Sequence, residues 1–255
     1  MRTSQGIPIK NANEVDILRK AGRILGSIVT SLQGSLTSGM STKDVDCIAE
    51  DLIRKNKVVA AFKGYRGFPG VACVSINEVV VHGIPGKRII KDGDIVSLDL
   101  GIIYQGYYSD TAVTVPVGNI TPEARRLLEV TEASLFRGIE QATVKNRLSD
   151  ISFAVQSFVE MHGFSVVRDF VGHGIGRALH EEPEIPNYGR PGQGPLLEEG
   201  MVFAIEPMVN TGTHRTRILS DGWTVVTEDS KPSAHFEHTV VITSKGPEIL
   251  TKIKD

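Results

Sequence analysis

The sequence predicts an α+β fold, and two observations carry that reading. Two amphipathic helices followed by a run of short strands occur twice along the chain, over about residues 13–118 and 121–250. The strand segments are largely apolar and are bounded by Gly, Pro and polar turn residues. With 255 residues and 40% apolar content the chain can bury one large core. It has no low-complexity segment or long linker, so residues 1–255 read as one domain made of two similar halves that pair their sheets around a cleft.

In the first half, Val15, Leu18, Ala21, Gly22, Leu25, Val29 and Leu32 recur at the spacing of one helix face. A second helix begins near Ser41-Thr42 and carries Val45, Ile48, Ala49 and Leu52. Strands follow to about Val117. Residues 95–101 read as a buried strand interrupted by Asp99, and residues 109–115 as its returning partner. With Gln105-Gly106 as a two-residue loop, Asp99 falls opposite Ala112, and Asp110 lies diagonal to Asp99 on the same face, roughly 7–8 Å away between backbones. A slip of one residue would put the two acids on opposite faces. In the second half, Thr121-Pro122 supplies an N-cap and a first-turn proline. Helices run through Leu127, Leu128 and Leu135 and through Ile151, Val155, Phe158 and Val159, and Gly163 ends the last. His173 sits among glycines in Val171-Gly172-His173-Gly174-Ile175-Gly176, where the backbone can approach closely. An apolar strand at 200–205 ends on Glu206 and is stopped by Pro207. Residues 233–242 read as one further strand with Glu237, Thr239 and Val241 on one face.

Asp99, Asp110, His173, Glu206 and Glu237 each break an apolar or glycine-rich segment, where an isolated charge is expensive. No matching run of Lys or Arg accompanies the four acids, so divalent cations are the expected partner. One imidazole and four carboxylates form a hard donor set that suits Mn, Fe, Co or Zn in an open site. A formal net charge of −2 demands no nucleic-acid partner. Lys87-Arg88 and Lys91 form a small basic cluster, read as a solvated loop, with transient ribosome contact as the alternative. Two cysteines, Cys47 and Cys73, are too few for a disulfide framework. The first residues lack a signal peptide's apolar core, and no run of 18 apolar residues occurs, so no membrane association and a cytoplasmic protein are expected.

Asp99-Leu100-Gly101, Ser109-Asp110, Gly172-His173-Gly174-Ile175-Gly176, His180-Glu181, Ile205-Glu206-Pro207 and Phe236-Glu237-His238-Thr239 occur in an order that resembles the signature of methionine aminopeptidases, from about Asn13 to Thr251. Glu206 and Glu237 are 31 positions apart. That leaves no room for the helical insertion of the type II enzymes, and there is no extended N-terminal zinc-binding region, so the chain is similar to the short bacterial type I form. The resemblance implies a pita-bread fold, in which helices cover the outside of a curved antiparallel sheet with pseudo-two-fold symmetry. It implies a monomer acting on the N-termini of nascent polypeptides whose second residue is small.

For the site, the resemblance implies two divalent cations, with Asp99 on one, His173 and Glu206 on the other, and Asp110 and Glu237 bridging them. Glu206 is then the group that moves a proton from water to the leaving amine, His180 the donor to the substrate carbonyl oxygen, and His82 the contact near the scissile nitrogen. Tyr65, Phe68, Cys73 and Trp223 match the pocket for the methionine side chain, whereas Phe62 and Leu179 stand where many bacterial members carry Cys and Phe. Asn77, Val79 and Ser233 match positions that hold a monovalent cation, Na or K, in relatives. His162, His214, His235 and His238 have no such support and read as structural or exposed. Two alternatives stay open on sequence grounds: an X-prolyl aminopeptidase or prolidase, which normally carries an additional N-terminal domain, and a non-enzymatic binding module on the same fold.

Overall fold

The structure is a computed structural model, which describes every residue except 1, 4 and 253–255. Four long helices form as the periodicity requires: α1 (Ala12–Ser35), α2 (Thr42–Lys55), α3 (Pro122–Gln141) and α4 (Leu148–Met161). The first three start at side-chain caps, with Asn11, Ser41 and Thr121 accepting the backbone N–H of Glu14, Asp44 and Ala124, each cap stabilising its helix by about 1 kcal/mol. Gly163, at φ +80, follows α4 and ends it as expected. Helix α1 buries a stripe from Val15 to Leu32. Its Gly22 and Gly26 let the C-terminal segment pass unusually close: a Cβ at Gly22 would stand 2.3 Å from the Leu250 carbonyl oxygen.

A nine-stranded sheet draws on both halves of the chain. Its main path runs Val59–Ala60, Ile95–Tyr104, Tyr107–Pro116, Glu237–Thr243, Val202–Ile205, Gly172–Gly174, Glu181–Ile185, every pairing antiparallel. Ala72–Ile76 and Gly246–Ile249 add to it at the side of Ile95–Tyr104 and Glu237–Thr243. The hairpin closes through Gln105 (φ +49) and Gly106 (φ +79), the pair of left-handed residues that a two-residue turn between twisted strands needs. Its register puts Asp99 opposite Ala112, as the loop length predicts.

One expected strand divides. Residues 233–242 split at Phe236 into Ser233–His235, which joins a small sheet with Met208–Asn210 and Ser165–Val166, and Glu237–Thr243, which stays in the large sheet. The partner chain breaks at the same level, because Pro207 has no N–H to give the ladder. Pairing resumes at Met208 with His235 on one side and at Ile205 with His238 on the other. Glu206 and Glu237 therefore stand at the bend where the large sheet gives way to the small one.

Candidate metal centre and substrate cavity

The strand registers bring the five candidate ligands onto one face. Asp99 is opposite Ala112, and Ala112 is opposite Glu237 in the next strand. Glu206 follows Ile205, the partner of His238, so it comes beside Glu237. In the adjoining row, His173 is opposite Ala204 and Ala204 opposite Thr239. Thr239 Oγ1 accepts the Asp110 N–H at 3.1 Å and donates to the Asp110 carbonyl at 2.7 Å. Alanines thus lie between the acids, and the face is left open for the carboxylates. A cavity of about 380 Å³ opens over it, and all five ligand candidates line its wall together with Tyr65, Phe68, Cys73, His82, His180 and Trp223.

Whether cations fit is decided by the polar atoms this arrangement leaves over. Asp99 Oδ1, Asp110 Oδ1, Glu237 Oε1 and His235 Nε2 are buried without a hydrogen-bond partner, a state that native proteins avoid unless an ion or water completes it. Donor atoms of Asp110, His173 and Glu237 lie within 4.8 Å of one another. His173 Nδ1 donates to the Gly174 carbonyl at 2.9 Å, which fixes the tautomer and leaves the lone pair on Nε2. That Nε2 faces Glu206 Oε1 at 3.4 Å, two electron-rich atoms that a cation or a proton must reconcile. The donor set fits a pair of divalent cations.

The electrostatics agree. Burial raises Asp99 to about 7, against a partial lowering by the Cys73 thiol hydrogen bond. Asp110, Glu206 and Glu237 are pushed well above the usual carboxylate range, first by burial and then by the neighbouring acids. Burial also lowers His173 to about 3 and His82 to about 4, with a smaller contribution from His180 in both. The imidazoles are neutral at pH 7. Without compensating positive charge the four acids cannot all be ionised in this space.

Beside the acids the wall turns apolar. Phe68 is buried and packs edge-on against Trp223 at 5.2 Å, and Trp223 meets the His82 ring at 6.0 Å. Phe62 and Leu179 are buried in the same wall. His82 is held at φ +58, an uncommon conformation for a residue with a side chain, with its ring against Phe170. His180 Nδ1 lies 2.8 Å from the Tyr65 hydroxyl, and its ring stands 4.3 Å from that of His173. Asn77 and Ser233 meet away from this wall: the Ser233 N–H donates to the Asn77 carbonyl at 2.9 Å, while the Asn77 amide is engaged by Asp94 and Ile95. Val79, two positions after Asn77, pairs with Val226.

Sequence reasoning missed His235. Its imidazole is buried, lines the cavity and stands 3.8 Å from Glu206 Oε2. A lone histidine in an apolar strand looks like a packed core residue, and only the break at Phe236 turns it inward. Met208 and Phe170 line the wall too, with no signal beyond apolarity.

The model of metallopeptidase family M24 matches residues 16–244. The methionine aminopeptidase of Clostridium perfringens is 56% identical over 248 residues, covering 97% of this chain and all of the relative. The chain belongs to the methionine aminopeptidases. Methionine aminopeptidase 1 of Bacillus subtilis is 53% identical, covering 96% of this chain and 98% of its own length. Among solved structures, the methionine aminopeptidase of Thermotoga maritima superposes with a TM-score of 0.95 at 46% identity, over 96% of this chain and 99% of that one. The prolidase of Pyrococcus furiosus shares the pita-bread fold more distantly, with a TM-score of 0.79 at 26% identity, and this chain spans 66% of it. Among the described residues no helix is long and apolar enough to cross a membrane.

Proposed function

We propose that this chain is a metallo-aminopeptidase that hydrolyses the bond after an N-terminal methionine, on peptides and nascent proteins whose second residue is small. The observation that carries the reading is the row of buried, partnerless carboxylate oxygens beside a closed apolar wall. Asp99 would hold one divalent cation, His173 and Glu206 the other, with Asp110 and Glu237 bridging. When bound, such a pair supplies Lewis acidity that brings the pKa of water toward about 7 and polarises a carbonyl.

The remaining steps belong to the protein. Glu206, a carboxylate in the cavity wall, carries the proton from the attacking water to the leaving amine. Burial, then Arg66, lowers the His180 pKa, so its imidazole is neutral. With Nδ1 accepting the Tyr65 hydroxyl, Nε2–H is the donor to the carbonyl oxygen as charge develops there. His82, also in the cavity wall, contacts the scissile nitrogen. Tyr65, Phe68, Cys73 and Trp223, with Phe62 and Leu179, enclose the thioether and exclude water around it.

The reading extends to Fe, Mn, Co or Zn as the metal, to a monovalent cation held by oxygens of Asn77, Val79 and Ser233, and to a cytoplasmic monomer that meets nascent chains near the ribosome. The meeting of Asn77 and Ser233 supports the cation only through backbone oxygens, because the Asn77 amide is already engaged. A panel of peptides with controlled metal tests the function. Methionine should be released from Met-Ala, Met-Gly and Met-Ser peptides and retained on Met-Lys and Met-Phe. Release of a non-methionine residue ahead of proline would favour the X-prolyl alternative.

A further inference from the structure

The loop after His173 carries two cavity-lining side chains, Leu179 and His180, on a segment with no regular hydrogen-bonded structure over residues 177–180. Its near end is tied by backbone bonds, Ile175 N–H to the Val202 carbonyl at 3.1 Å and Tyr108 N–H to the Gly176 carbonyl at 2.7 Å. In the middle, the Gly176 N–H donates to the Ala178 carbonyl at 3.2 Å and the Arg177 guanidinium donates to Glu14 Oε1 at 3.3 Å, while one carboxylate holds the amides of Arg177 and Ala178. Glu181 Oε1 accepts the N–H of Arg177 at 2.7 Å and of Ala178 at 3.3 Å, and Oε2 takes the Lys10 ammonium at 2.6 Å. Lys10 comes from the segment before α1, 171 positions away.

This pair is deeply placed, with side-chain exposures of 5% for Lys10 and 12% for Glu181. Burial lowers the Lys10 pKa and Glu181 pulls it back. There is no slack around it: a Cβ at Gly176 would lie 2.5 Å from Lys10 Cε and 2.9 Å from Glu181 Oε1. A buried ion pair is a poor source of net stability, because desolvation offsets most of its attraction. The pair therefore needs a reason other than stability, and the loop that it pins supplies one.

We propose that Lys10 and Glu181 are positioning residues for His180, holding residues 177–178 so that the imidazole stands where the substrate carbonyl oxygen arrives. The proposal rests on the reading of His180 as that donor. Glu181 acts through the two amides, and Lys10 acts only through Glu181, by holding its carboxylate turned inward.

The test uses the metal-loaded full chain with Lys10→Met, Glu181→Gln, the double variant, and Lys10→Met combined with His180→Ala. In Lys10→Met the amides of Arg177 and Ala178 should exchange with solvent at least about 10-fold faster, with metal stoichiometry unchanged. The kcat on a Met-Ala peptide should fall by roughly 10- to 100-fold, the scale of a displacement near 1 Å, with KM moving much less. In the His180→Ala background the same substitution should lower kcat no further. Because Lys10→Met leaves a buried charge unpaired and could fail to fold, the double variant provides a second route: it should lose no more activity than Glu181→Gln alone. Losses that multiply in the double variant, or an equal loss without His180, would overturn the proposal. Wild-type protein that releases no methionine overturns both the functional reading and the positioning role. Wild-type release with a kcat indifferent to Lys10→Met overturns the positioning role alone.

Discussion

Replacing Asp99 by Asn in metal-free protein isolates the cost of the empty charge cluster. Asp99 is buried, and its pKa stands at about 7 against an ordinary 3.8. That displacement corresponds to roughly 4 kcal/mol of disfavour for the ionised form, at 1.36 kcal/mol for each factor of ten. The folded protein holds this proton at pH values where the unfolded chain has lost it. The contribution of Asp99 to stability therefore falls as pH rises from the unfolded value through the folded one, and is lost by pH 7–8. His82, His173, His235 and His238 oppose it in the same window. Burial depresses them to about 3 or 4, and a histidine kept neutral by folding gains stability as pH rises toward 6.5. The whole stability curve mixes these effects, whereas the wild type minus the variant reads Asp99 together with its repulsion of Asp110, Glu206 and Glu237. Chemical denaturation after chelation should show wild-type stability dropping by about 2 kcal/mol relative to Asp99→Asn between pH 5 and 7, because the linkage slope approaches one proton over most of that interval. Saturating Mn²⁺ should reverse the order above pH 7, since the ionised acid is then the paired form. A difference that stays flat from pH 5 to 8, with and without metal, would refute the account of Asp99.

Other perturbations separate the parts of the site. Asp110→Asn or Glu237→Gln should abolish measurable turnover and reduce metal loading together, checked by elemental analysis beside the peptide assay; near wild-type activity with either change would remove the bridging role. His180→Ala should lower kcat by roughly 10²–10³ with less change in KM and with metal retained. Loss of metal in that variant would mean that the imidazole belongs among the ligands. Gly101→Ala should raise KM more than it lowers kcat, because the new Cβ would lie 2.7 Å from Phe62 Cε1 and displace a wall of the cavity proposed to take the methionine side chain; the overpacking should cost roughly 1–3 kcal/mol in thermal denaturation. An unchanged KM would separate Phe62 from the pocket.

Much of the metal face was legible because its signals are local. The Gln105-Gly106 turn fixes a register, and strict alternation then puts Asp99 and Asp110 on one side of the hairpin. Asn11, Ser41 and Thr121 precede helices with ordinary caps, whereas α4 begins after Arg147, whose N–H is met by Asp150, and Arg is a poor start signal. The division at Phe236 was hidden because apolar and polar residues keep alternating through it, although Pro207 on the facing strand forces it. His235 was missed for the same reason. The contact of Lys10 with Glu181 depends on how the segment before α1 returns to a distant loop, which no local pattern encodes.

Dependence on the metal pair is decided by stripping the protein of metal, adding back Mn²⁺ or Co²⁺ in substoichiometric steps, and following methionine release from a Met-Ala peptide alongside bound metal. A catalytic dimetal site requires negligible release by the stripped protein, recovery with added cation, and no more than two tightly bound ions per chain at the plateau. The same titration of Asp110→Asn should recover neither binding nor release. Full release by thoroughly metal-free protein, or bound cation without any release, would contradict it.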